Sequence, residues 1–137
     1  MGTNTHVYFG VFGFGDDPSV VTAIMGMAPS KAWIKGEPYA SPSPGARRTH
    51  SRWALESGRH EAEPVEAHLV ALLERLEPKV EEIRRVSQRF DVQIGVAQYF
   101  HEVNPQFRIE ADILRRLAAL GVPLNFDQYC LGEDEGS

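Results

Sequence analysis

The sequence predicts an α+β fold, a mixed or antiparallel sheet with helices mainly on one face. Three observations predict it. Segments rich in aromatic and β-branched residues recur along the chain; leucine- and valine-striped stretches of helical period cluster between them; and Gly, Pro or Asp marks nearly every junction. With 137 residues, 42% of them hydrophobic and 24% charged, the chain can bury roughly two-thirds of its unfolded surface around one core. Its composition is also far from that of disordered segments. Residues 1–131 therefore read as a single α+β domain and 132–137 as a disordered acidic tail.

Thr5 to Phe14 reads as a strand, with Val7, Phe9 and Val11 on one face and Tyr8, Phe12 and Phe14 on the other. Apolar residues on both faces predict an interior strand covered on both sides. Gly15-Asp16-Asp17-Pro18 is a turn into a short helix, with an Asp at or near its cap, Val20, Val21, Ile24 and Met25 inward, and an end near Gly26. Ala28 to Gly45 carries Pro29, Pro38, Pro42 and Pro44 and reads as a surface loop whose tip is Tyr39 to Ala46. Thr49 to Ser57 recovers strand alternation, with Ser51, Trp53 and Leu55 on one face.

Glu63 to Leu76 is an amphipathic helix with Pro64 in its first turn and Val65, Leu69, Leu72, Leu73 and Leu76 as its stripe. Pro78 interrupts it, and a second helix turns Val80, Ile83, Val86 and Phe90 inward. Asp91 to Phe100 is a strand by alternation, and Phe107 to Ile109 offers a short one. Ala111 to Leu120 is a helix closed by Gly121, and Val122 to Tyr129 is a last strand.

Composition narrows the function. A net charge of −5 and a pI near 5.5 have the wrong sign for general attraction to nucleic acid or to an anionic membrane. The single cysteine, Cys130, excludes an internal disulfide and a thiolate metal framework, which fits a reducing cytoplasm. No signal peptide or membrane-spanning run is legible, so a cytoplasmic location is expected.

Catalytic motifs are not legible either. Gly10, Gly13 and Gly15 have GxxGxG rather than dinucleotide-binding spacing, and Asp16 and Asp17 would oppose a pyrophosphate at the following helix. His6, His50, His60, His68 and His101 fall into no metal-ligand spacing, and His68 is expected at a polar or boundary position. No nucleophile elbow appears, and the paired carboxylates are explained by caps and helix faces. The expectations are accordingly no catalytic residue, no metal and no cofactor.

Local rules explain least about Pro29 to Glu37 and the strand after the loop. Trp33, Lys35, Arg47, His50, Arg52 and Trp53 gather aromatic and cationic types common at recognition hot spots. The competing reading is that both tryptophans plug the core beneath the loop while the cations are solvated.

The same stretch carries a resemblance. Asp17-Pro18, Val20 to Gly26, Pro29-Ser30, Trp33, Lys35-Gly36-Glu37, Trp53 with Leu55, and Leu124 to Tyr129 together resemble the bacterial family called domain of unknown function 4279, in a series spanning nearly the whole chain. Gly26-Met27-Ala28 and Glu37 depart mildly from its pattern. The resemblance implies a small stand-alone cytoplasmic protein and an immunity-type role against toxins, with no catalytic residue attached.

Two functions follow as expectations. The favoured one is a non-catalytic binding module whose partner is a protein, toxin-like and basic, because an acidic chain suits a basic partner. The alternative is a small-ligand-binding protein or enzyme with a pocket under the Pro-rich loop, using Lys35, His50, Arg52, Asp127 and Tyr129.

Overall fold

The chain is described by a computed structural model over residues 3–38, 46–101 and 103–132. Along them run β1 (Asn4–Phe12), α1 (Ser19–Met25), β2 (Lys31–Trp33), β3 (Arg52–Glu56), α2 (Val65–Leu76), α3 (Val80–Arg89), β4 (Asp91–Phe100), α4 (Ala111–Leu120) and β5 (Leu124–Cys130). The strands form one mixed sheet in the order β2-β3-β1-β4-β5. All neighbours are antiparallel except β4 and β5, which are parallel and joined through α4 as a parallel pair requires. This is the α+β architecture expected. Of the expected loop tip at Tyr39 to Ala46 and the expected tail at 132–137, residues 39–45 and 133–137 lie outside the described residues.

Helices cover one face of the sheet. Val7, Phe9 and Val11 of β1, Trp53 and Leu55 of β3, and Ile94 and Val96 of β4 are buried against stripes from the helices, chiefly Met25, Leu69, Leu72, Leu76, Val86 and Leu117. Each such side chain contributes about 1.5–3 kcal/mol by leaving water. Pro78 has no N–H to continue the α2 ladder, so the chain tightens into a 3-10 turn at Glu77–Lys79 before α3. Gly26 and Gly121 close α1 and α4 with φ of 67° and 71°, where a side chain would be strained. At the start of α1, Asp17 accepts hydrogen bonds from the Ser19 backbone N–H and hydroxyl. Those two bonds hold the Asp17 carboxyl below its ordinary range.

Several local expectations need correction. The Ala28–Gly45 loop contains the short strand β2, because Lys31, Ala32 and Trp33 pair with Ala54, Trp53 and Arg52. Phe107 to Ile109 forms no strand; Phe107 instead stacks on Phe126 of β5 at 4.9 Å between ring centroids. β1 is central in the sheet but helices cover only its Val7–Phe9–Val11 face, so the expectation of cover on both sides fails.

His68 is also misplaced by sequence reasoning, since it lies buried on α2 rather than at a boundary. Its Nδ1 is 2.6 Å from the Ser57 hydroxyl. Burial pushes its pKa down, with His6 and Arg59 acting in the same sense and Glu63 and the His60 backbone opposing. A histidine kept neutral in the fold binds fewer protons than its unfolded counterpart, so stability is full above about pH 6.5 and falls as pH drops below it. Glu63, held low by Arg59, and Glu77, held low by Arg116, cost stability only below about pH 4.3. Chemical denaturation between those two limits is therefore expected to show a stability slope that flattens in His68→Asn. An unchanged slope would assign it to other groups.

Candidate functional site: the open face of the sheet

Strand alternation sends a second set of side chains to the face that helices leave uncovered. By register these are His6, Tyr8, Gly10 and Phe12 of β1, Arg52, Ala54 and Glu56 of β3, Lys31 and Trp33 of β2, Gln93, Gly95, Ala97 and Tyr99 of β4, and Asp127 and Tyr129 of β5. All of these but Gly10, Phe12, Gln93 and Gly95 line a cleft of about 490 Å³ that runs across all five strands. A second cleft of about 280 Å³, lined by Phe12, Trp33, Arg48, Thr49, His50 and Arg52, adjoins it. Trp33 and Arg52 belong to both and form the ridge between them.

Two glycines set the shape of the floor. Tyr8 pairs with Gly95 across β1 and β4, and its ring lies directly on that glycine. A Cβ at Gly95 would stand 2.6 Å from Tyr8 Cε1 and closer still to Cζ and Oη. A Cβ at Gly10 would meet Tyr8 Cε2 at 3.0 Å and the Phe12 ring at 3.1 Å. With no side chains there, both rings can lie flat against the backbone, and Gln93 fixes the Tyr8 end by donating from Nε2 to the hydroxyl at 3.2 Å.

The flat Tyr8 ring carries Arg52. On this face of the sheet only Gly10 and Ala54 stand between the Phe12–Arg52 and Tyr8–Glu56 pairs. The Arg52 side chain crosses these small residues and places its Cζ 3.8 Å from the Tyr8 ring centroid, with Trp33 at 5.3 Å and Phe12 at 5.8 Å. Arg48 covers Trp33 at 3.9 Å. Contacts of this kind contribute about 0.5–2 kcal/mol each, depending on how dry they are.

Toward β5 the face becomes more acidic. Tyr99 and Tyr129 stack at 5.0 Å between centroids, and His6 meets the Tyr99 ring edge-on at 6.0 Å. The Asp127 charge, with some burial, pushes the Tyr129 pKa up. Lys31 pairs with Glu56 at 3.3 Å.

Of the residues singled out from sequence, Trp33, His50 and Arg52 come together here, and Asp127 and Tyr129 share the larger cleft with Arg52. Lys35 is exposed in a turn whose backbone N–H donates to Ser51. Arg47 is exposed and donates from Nη1 to the Gly36 carbonyl at 2.9 Å, tying the two limbs of the loop beside the Pro38–Arg47 bridge. Trp53 must be withdrawn as a binding residue. It points into the helix-covered core, is fully buried, and donates from its indole to Thr22 Oγ1 at 2.9 Å.

Tyr8, Tyr99, Lys31 and His6 were not legible as site residues, although a signal existed. Tyr8 and Phe12 share strand parity with Gly10, and Tyr99 shares it with Gly95, which is the pattern of rings lying on bare backbone. Among the described residues no group of three or more His, Cys, Asp or Glu side chains could hold a metal ion.

A family model described as Domain of unknown function (DUF4279) matches residues 3–131. The chain belongs to that family. The segments that carried the resemblance in the sequence fall on the turn before α1, on α1, on β2 and its flanking turns, on β3 and on β5. Among curated proteins and among solved structures, none matches the chain. Within the described residues no helix is long and apolar enough to cross a membrane.

Proposed function

We propose that this chain is a non-catalytic protein-binding module and that its partner seats on the open face of the sheet. One observation carries the reading: the uncovered face assembles Trp33, Tyr8, Tyr99, Tyr129 and Arg52 along one continuous cleft. Those residue types dominate binding hot spots because they bury large rigid surfaces at low conformational cost. The polar groups of the cleft engage one another or aromatic faces, with Lys31 on Glu56, Arg52 on Tyr8 and His6 against Tyr99. Such an arrangement is set for recognition. In its immunity-type form, the role is to neutralise a toxin-like partner whose positive net charge the −5 of this chain attracts at long range.

Affinity capture from the native host with tagged chain tests the proposal. Wild type and Arg84→Ala, a change on the solvent side of α3, are expected to retain the same partner, while Trp33→Ala and Tyr99→Ala weaken it roughly 30-fold or more. Retention by the open-face variants, or recovery of no partner, contradicts it. The small-ligand alternative draws support from the cleft's 490 Å³, a size that suits a small molecule. A low-molecular-weight compound released from the purified protein on denaturation would favour it.

A further inference from the structure

We infer that the partner presents a carboxylate to Arg52, so that an acidic side chain of the partner seats at the ridge between the two clefts. The inference rests on the open face being the binding surface. Among the described residues Arg52 is a cation set among aromatic rings with no counter-charge of its own. Tyr8, Trp33 and Phe12 surround its guanidinium, no carboxylate among the described residues pairs with it, and its Nε is buried with no hydrogen-bond partner among them. A charge partly removed from water and left unpaired is costly, and an incoming anion relieves that cost.

The geometry also favours a carboxylate. Stacking on Tyr8 holds the guanidinium by its face, which leaves the in-plane N–H groups as the binding edge, and that planar fork matches the two oxygens of a carboxylate. Lys31 is already held by Glu56, so Arg52 is the cation of the larger cleft that is left for a ligand. The same cleft contains Glu56 and Asp127, which would repel a dianion such as phosphate more strongly than a single negative charge. The aromatic walls on either side of the ridge exclude water from the contact and strengthen it.

The test needs no partner. The side-chain Nε–Hε resonance of Arg52 is followed by NMR while the monoanion N-acetylglutamate α-N-methylamide, inorganic phosphate or sodium chloride is added to the full chain at matched ionic strength. The glutamate amide, which carries one side-chain carboxylate, is expected to move that resonance saturably, with nearby β2 and β3 amides following. Arg52→Lys, checked as folded by its amide spectrum, is expected to weaken the response of those amides roughly 10-fold or more. No saturable shift, or tighter binding of phosphate, overturns the inference. If it fails while Trp33→Ala still abolishes capture, the open-face reading stands and the carboxylate alone is wrong; retained capture by the open-face variants removes the surface itself.

Discussion

Trp53→Ala is expected to cost about 3–5 kcal/mol of folding stability, whereas Trp33→Ala should cost about 1 kcal/mol or less. The two tryptophans are cross-strand neighbours by one step of register, since Trp53 pairs with Ala32 and Trp33 with Arg52, yet alternation sends them to opposite faces. Trp53 is fully enclosed, meets Phe9 edge-on at 6.3 Å and hydrogen-bonds Thr22 on α1. Its removal therefore opens a cavity and strands a polar group on the helix above. Trp33 covers only the ridge of the open face and holds Arg48 by its ring. Urea denaturation of both variants beside wild type reads the contrast. Equal losses would mean that the sheet faces are not divided as described.

Gly95→Ala is expected to destabilise the fold by about 1–3 kcal/mol although it adds a single methyl group. Backbone conformation is not the cause; the Tyr8 ring occupies the space a Cβ needs. The ring must lift, which breaks its stacking with Arg52 and its hydrogen bond from Gln93. Tyr8→Ala in the same chain removes the clash, so the double variant should be more stable than the sum of the two single losses. Strict additivity would show that Tyr8 does not lie on Gly95. The Arg52 side-chain resonances should also move in Gly95→Ala, because they lose the ring current of Tyr8.

These expectations show where sequence was informative. The stripes of α2 and α3, the helix Ala111–Leu120, the strand Asp91–Phe100 and the Gly26 and Gly121 caps were legible, because apolar period and glycine punctuation are local signals that burial on one face enforces; Leu114, expected inward on α4, is exposed. β2 was hidden because three residues among prolines carry too little alternation to register, and only pairing with β3 makes them a strand. The open face was misread for a related reason. Tyr8 and Phe12 looked like buried residues since aromatic rings usually are, whereas here they lie on Gly10 and Gly95 and face the solvent side of the sheet.

His68 misled in the opposite sense. A histidine amid a leucine stripe suggested a wet position, yet Ser57 meets it with a hydroxyl, and a side chain eleven residues away is not something periodicity can supply. The candidate site was half legible for the same reason. Trp33, His50 and Arg52 stood out by type along one stretch of chain, but Tyr99, Asp127 and Tyr129 join them only through the pairing of β1 with β4 and of β4 with β5.

The division of the sheet into a packed face and a binding face is tested most directly by photo-crosslinking. A benzophenone-bearing residue is placed in living host cells at Tyr99 and, separately, at Arg84. Light should then join one and the same protein to the chain from position 99 and leave position 84 without that product; the same adduct from position 84, or none from 99, would contradict the assignment of the binding surface to the open face.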